Sequence, residues 1–121
     1  MIRLLLVDDD PLILLAAGTA LRADGGFAVR EARTAGEALQ EVAADAPDAI
    51  VTDVQLPDFD GTDLLARLRA AAATRDIPVI FLTGASGPEA ERLRTLGARG
   101  VVPKPFDPFA LADQVRQLLA G

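Results

Sequence analysis

Five short apolar runs alternate with five segments of helical period, and that alternation constrains this chain more than any other feature. Ile2 to Val7 is the first run, broken only by Arg3. Asp10-Pro11 then supplies a helix start, with Asp as N-cap and Pro at the first helical position. That helix extends to about Ala23 and closes at Gly25-Gly26. Phe27 to Ala32 alternates as a half-buried strand, and Thr34-Ala-Gly-Glu37 reads as a capping box opening a second helix. Ala49 to Thr52 is a short strand. A loop from Gln55 to Gly61 leads into a helix with Leu64, Leu65 and Leu68 inward. Ile77 to Leu82 is continuously apolar, which suits a strand covered on both faces. Ser86-Gly-Pro-Glu89 reads as a second capping box, for a helix ending near Gly97. Gly100 to Val102 forms a brief last strand, and Asp107-Pro108 starts a final helix. The order βαβαβαβαβα predicts an α/β fold of the (βα)5 type, a doubly wound five-stranded parallel sheet with helices on both faces. At 121 residues one domain, 1–121, is expected, with no room for a second.

Composition removes several chemistries. The absence of His excludes imidazole catalysis, and the absence of Cys excludes thiolate metal sites, disulfides and thiol nucleophiles. A net charge of −6 and only five Phe as aromatics argue against a nucleic-acid surface. The longest apolar stretch, Leu12 to Leu21, is ten residues, whereas a membrane span needs about 20, so no membrane insertion and a cytoplasmic setting are expected. The cations are eleven Arg and a single Lys, Lys104, so the position of that Lys is informative.

Open α/β sheets bind ligands beyond the carboxyl ends of their strands, near the point where strand order reverses. The polar residues therefore matter most at those ends. The first strand runs into Asp8, Asp9 and Asp10, the third into Asp53, the fourth into Thr83 and the fifth towards Lys104. Carboxylates crowded at one edge repel each other unless protonated or matched by a hard cation such as Mg²⁺, which takes oxygen ligands and phosphate oxygens. A hydroxyl and a compact ammonium beside them suit a tetrahedral oxyanion. Each residue alone has an ordinary explanation in capping, turns or strand propensity. Their joint placement at successive strand ends does not.

These residues carry a family resemblance over the whole chain. Leu-Leu-Val-Asp8-Asp9-Asp10-Pro, Val51-Thr-Asp53-Val-Gln-Leu-Pro57-Asp-Phe-Asp60-Gly61, Phe81-Leu-Thr83-Gly84 and Lys104-Pro105-Phe106 resemble the receiver domain of two-component response regulators of the single-domain, chemotaxis type. The resemblance implies a flavodoxin-like strand order, 2-1-3-4-5. It implies a phosphoacceptor switch rather than a turnover enzyme. Asp53 would accept a phosphoryl group from a phosphohistidine on a sensor histidine kinase or histidine phosphotransfer protein. Asp9, Asp53 and the Gln55 backbone carbonyl would bind Mg²⁺ (or Mn²⁺), with Asp8 acting through a metal-bound water. Thr83 and Lys104 would each meet a phosphoryl oxygen, and the Lys104-Pro105 bond would be cis. The missing His then belongs to the donor.

The sequence departs from the family in places. The switch aromatic three residues before Lys104 is Val101, so Thr83 and the backbone are left to carry the signal. The two positions that tune hydrolysis are Gln55 and Ala85, and Ala85 has no polar group to orient a water. Ile13 and Leu14, with Pro105 and Phe106, are the expected docking residues for the phosphodonor. Two other readings compete. A Mg²⁺-dependent phosphohydrolase of the haloacid-dehalogenase type would use Asp8 and Asp10 as its Asp-x-Asp pair. A phosphorylation-independent binding module would keep only the fold.

Overall fold

The structure is a computed structural model that describes residues 1–84 and 86–121. Its elements are β1 (Ile2–Val7), α1 (Pro11–Asp24), β2 (Phe27–Ala32), α2 (Ala35–Ala44), β3 (Ala49–Thr52), α3 (Gly61–Ala70), β4 (Val79–Thr83), α4 (Pro88–Thr95), β5 (Gly100–Pro103) and α5 (Leu111–Ala120). The strands form one parallel sheet in the order β2-β1-β3-β4-β5. The predicted fold class and strand order are therefore both found.

Burial explains the strand sequences. β3 and β4 lie inside the sheet and are buried at every residue, so they carry no alternation. The edge strand β2 is buried only at its two ends, Phe27 and Ala32. Two apolar layers sandwich the sheet. Leu5, Val7, Ile50, Val79 and Phe81 pack with residues of α2, α3 and α4 on one face. Leu4, Leu6, Val51, Ile80 and Val102 pack with α1 and α5 on the other. Adjacent residues of one strand thus feed opposite layers, as the two-residue strand period requires.

The ends of α1 and α2 follow the sequence signals. The Asp10 carboxylate accepts the Leu12 amide ahead of Pro11, and Gly25, in the left-handed region at φ 84°, closes α1. The Glu37 amide donates to the Thr34 hydroxyl at 3.0 Å. Three boundaries differ from expectation. The N-cap of α4 is Gly87 at φ 57°, with no side-chain cap bond, so Ser86 and Glu89 do not form a capping box. The helix predicted from Pro108 begins at Leu111, because the Asp107 carboxylate accepts the Phe109 amide and its carbonyl accepts those of Ala110 and Leu111. Residues 107–110 are spent on this turn. Finally, β4 begins at Val79, since the Ile77 amide is taken by the Thr74 carbonyl in the preceding turn. Among the described residues no helix is long and apolar enough to cross a membrane.

Candidate functional site

The reversal of strand order lies at β1 and β3, which are neighbours although β2 comes between them in sequence. Both strands run straight into acidic residues there. Asp8 follows the fully buried Val7 and is itself only 1% exposed. One of its carboxylate oxygens accepts the Asp10 amide at 2.9 Å, a turn that swings the chain from β1 towards α1. The other accepts from the Lys104 Nζ at 2.8 Å. Asp9 is exposed above it, and Asp10 caps α1. Asp8 and Asp10 thus have different tasks, while Asp9 is left facing solvent. The Asp10 carboxylate is used in the cap and is not one of the clustered acidic groups, against the Asp-x-Asp pairing of a dehalogenase-type site.

Asp53 extends β3 by one residue, donating its amide to the Val7 carbonyl at 2.9 Å. Its carboxylate accepts the Val54 amide at 2.7 Å and lies 3.3 Å from the Lys104 Nζ. Carboxylate oxygens of Asp8, Asp9 and Asp53 all lie within 4.8 Å of one another. Three carboxylates against one ammonium leave a formal charge of −2 at the site. This oxygen-only donor set fits a hard divalent cation. Gln55 lines the same pocket as Asp53, and its carbonyl accepts no hydrogen bond among the described residues.

Lys104 is placed by backbone as well as by charge. Its amide donates to the Thr83 carbonyl at 2.8 Å, tying β5 to the end of β4, and the Lys104-Pro105 peptide is cis, as expected. Thr83 is 8% exposed at the mouth of the sheet. Asp53, Val54, Gln55, Thr83, Gly84, Glu89 and Lys104 line an open pocket of about 510 Å³.

The ion pair is unequal in burial, and its two members respond differently. Burial raises the Asp8 carboxyl above its ordinary range, helped by the nearby Asp53 charge and opposed by Lys104 and the Asp10 amide. Burial alone would lower the Lys104 ammonium, but its contacts with Asp8 and Asp53 more than offset this and raise it. The more exposed partner gains from the pairing, while the enclosed one still carries a desolvation cost.

The remaining predicted positions fall in different places. Val101 is half-buried on β5, paired with Phe81 and packed on the α2–α4 side of the sheet. Phe106 is half-buried against the α1–α5 layer, and Pro105 is exposed. Ile13 is half-buried, but Leu14 is a core residue at 3% exposure, so its side chain forms no docking surface. The helical period turns Leu12 and Leu15 outwards instead, at 72% and 66% exposure. Together with Pro108 and the almost fully exposed Phe109 they line an apolar groove between α1 and the start of α5. Ala85 lies outside the described residues.

Three contributors had no assigned role in the sequence reading. Gly61 starts α3, where a Cβ would stand 2.3 Å from the Asp53 carbonyl oxygen and 2.9 Å from the Phe81 ring; any side chain there would force the Asp53 backbone or the ring to shift. Glu89, from the first turn of α4, brings a fourth carboxylate to the pocket wall. Asp58 ties the loop after Asp53 to α2. The glycine could have been found from its place directly after the acidic loop at a helix start. Glu89 and Asp58 depend on which loops meet in space.

A family model for the response regulator receiver domain matches residues 4–116. The chain belongs to the response regulator receiver family. It is 37% identical over 121 residues to the response regulator Rre1 of Synechocystis, covering 98% of this chain and 52% of that one. It is 36% identical over 122 residues to the protein-glutamate methylesterase/protein-glutamine glutaminase 2 of Rhodopseudomonas palustris, covering all of this chain and 33% of that one. Among solved structures it superposes on the chemotaxis response regulator CheY4 of Vibrio cholerae with a TM-score of 0.89 at 28% identity, covering 98% of both chains. The chain thus spans about half the length, or less, of these curated relatives. Receiver domains act in two-component signalling, where phosphorylation on aspartate is characteristic, Mg²⁺ binds in an acidic pocket, and the donor is a histidine kinase or phosphotransfer protein.

Proposed function

We propose that this receiver domain is a phosphoacceptor switch in which the Asp53 carboxylate takes a phosphoryl group from a partner phosphohistidine. One observation carries this reading. The only Lys of the chain puts its ammonium between Asp8 and Asp53, in an open pocket that also holds Thr83. In the reaction an Asp53 oxygen forms the new bond to phosphorus as the phosphorus–nitrogen bond of the donor breaks, and the imidazole leaves and is reprotonated. Catalysis of such a transfer is mainly positioning and charge stabilisation. The chain's residues are suited to this. The Val54 amide orients the acceptor carboxylate. Lys104 can move from the carboxylates to a phosphoryl oxygen, and the Thr83 hydroxyl can meet another. Asp8, Asp9, Asp53 and the Gln55 carbonyl would hold Mg²⁺ or Mn²⁺, which when bound screens the charge of the transferring group.

Signal output is assigned to Thr83 and the backbone bond that joins it to Lys104. Val101 has no ring to swing and is placed outside the moving part. The phosphodonor is assigned to the groove edge carrying Leu12, Leu15 and Phe109, whose exposed apolar side chains suit the helices of a protein donor; Ile13, Pro105 and Phe106, close to these residues in sequence, are assigned to the same docking surface. A cytoplasmic setting follows from this chemistry, and the downstream partner is assigned as a protein.

Incubation with Mg²⁺ and phosphoramidate, read by intact-mass spectrometry, tests the reading. One phosphoryl group per wild-type chain, lost without Mg²⁺ and absent from Asp53→Asn, is expected. Equal labelling of wild type and variant, or sustained phosphate release from a generic ester, would overturn it.

A further inference from the structure

The first turn of α2 is occupied by a residue from a different loop. A helix leaves its first backbone amides without internal acceptors. In α2 the Glu37 amide is taken by Thr34, within the same segment. The preceding two amides, of Ala35 and Gly36, are taken by the two oxygens of the Asp58 carboxylate, at 3.0 and 2.8 Å. Asp58 lies in the loop between Asp53 and α3, more than 20 residues further along the chain. Its Oδ1 also accepts the Phe59 amide at 2.9 Å. The Phe59 ring in turn lies under the Arg67 guanidinium, 4.2 Å from its centre. A carboxylate spanning two amides at the positive end of a helix makes charge-assisted bonds. Desolvation alone would raise the Asp58 carboxyl, but the Gly36, Phe59 and Ala35 amides together more than offset it and hold the group below its usual range.

The geometry connects this clamp to Gln55. Between Gln55 and Asp58 stand only Leu56, buried against the core, and Pro57, whose φ is fixed by its ring. The other end of the loop is closed by the Gly61 amide on the Val54 carbonyl at 2.7 Å. The loop is therefore pinned at Val54, Leu56 and Asp58, which leaves the Gln55 carbonyl little freedom.

We propose that Asp58 is a positioning residue: by clamping the acceptor loop to α2, it holds the Gln55 carbonyl in place beside Asp9 and Asp53 as a ligand for the divalent cation. The inference rests on the assignment of these groups as cation ligands made above.

The test is a Mg²⁺ titration without phosphodonor, followed by backbone amide NMR shifts, on wild type, Asp58→Ala, Asp58→Asn and Thr34→Ala. Asp58→Ala weakens Mg²⁺ binding on the order of tenfold, as losses of outer supports of metal ligands do. Asp58→Asn, which keeps one acceptor oxygen, is intermediate. Thr34→Ala removes a cap from the same helix end without touching the loop, so its Tm falls while its Mg²⁺ affinity stays within about twofold of wild type. In phosphorylation assays Asp58→Ala raises the half-saturating Mg²⁺ concentration. Wild-type affinity in Asp58→Ala, or an equal loss in Thr34→Ala, would overturn the clamp while leaving the cation site standing. Absence of Mg²⁺ binding by wild type would overturn the cation site itself, and the clamp with it.

Discussion

Val7 and Asp8 are neighbours in sequence, and both are almost wholly buried, yet they belong to regions held together in opposite ways. Val7 ends the sheet interior, where each strand residue is enclosed by apolar side chains from one of two layers. Asp8 begins the carboxyl edge, where a buried charge is tolerated because one ammonium lies 2.8 Å away. The interior gains stability from every group it buries. The edge spends stability to keep three carboxylates together, and that cost is what would give it the affinity for a cation and a phosphoryl group proposed above.

Substitutions in the two regions should therefore behave differently. The largest loss of stability is expected in the interior. Phe81→Ala removes a fully buried ring beside Gly61 and should cost about 3–5 kcal/mol in urea unfolding. At the edge, Lys104→Met leaves Asp8 enclosed without its cation. We expect a smaller loss at neutral pH, about 1–3 kcal/mol, and a shrinking one in acid. The sign follows from the two raised groups. Lys104 contributes stability below its ordinary value near 10.5 that is lost only as pH rises through its raised folded value. Asp8 is destabilising once ionised, so its cost is absent below 3.8, builds as pH rises from 3.8 towards its raised folded value, and is complete above that value.

That sign makes Asp8→Asn the sharper contrast. In metal-free buffer it should be no less stable than wild type at pH 7, and the two melting temperatures should converge near pH 3. A large loss at pH 7 would mean that the edge is a structural ion pair of the ordinary kind. The smallest stability effect belongs to Leu12→Asp with Leu15→Asp, within about 0.5 kcal/mol, because both side chains are exposed. The same double variant should slow phosphotransfer from a protein donor while phosphoramidate labelling stays at the wild-type rate. Equal slowing of both would remove the groove from the docking surface.

Much of this contrast was legible in the sequence. The alternation of runs and helical segments encodes the sheet, and the rule that ligands gather at strand ends points to Asp8, Asp9, Asp53, Thr83 and Lys104. What escaped depends on choices between equivalent local partners. Asp107 and Ser86 both precede a helix, yet Asp107 caps a turn and Ser86 yields to Gly87, since a cap signal does not say which turn it will close. The apolar run Leu12 to Leu15 gave the presence of an exposed stripe but not its phase, which buried Leu14 and exposed Leu12 and Leu15. The Asp58 clamp joins residues more than 20 positions apart, and no local pattern encodes such a contact.

Reductive trapping tests the central claim most directly. The chain has thirteen Asp, and the account assigns the phosphoryl group to one of them. Borohydride converts an aspartyl phosphate to homoserine, so phosphorylation with Mg²⁺ and phosphoramidate, followed by reduction and peptide mapping, marks the acceptor. The account predicts homoserine at position 53 alone. Homoserine at Asp8 or Asp9, or spread over several Asp, would contradict it.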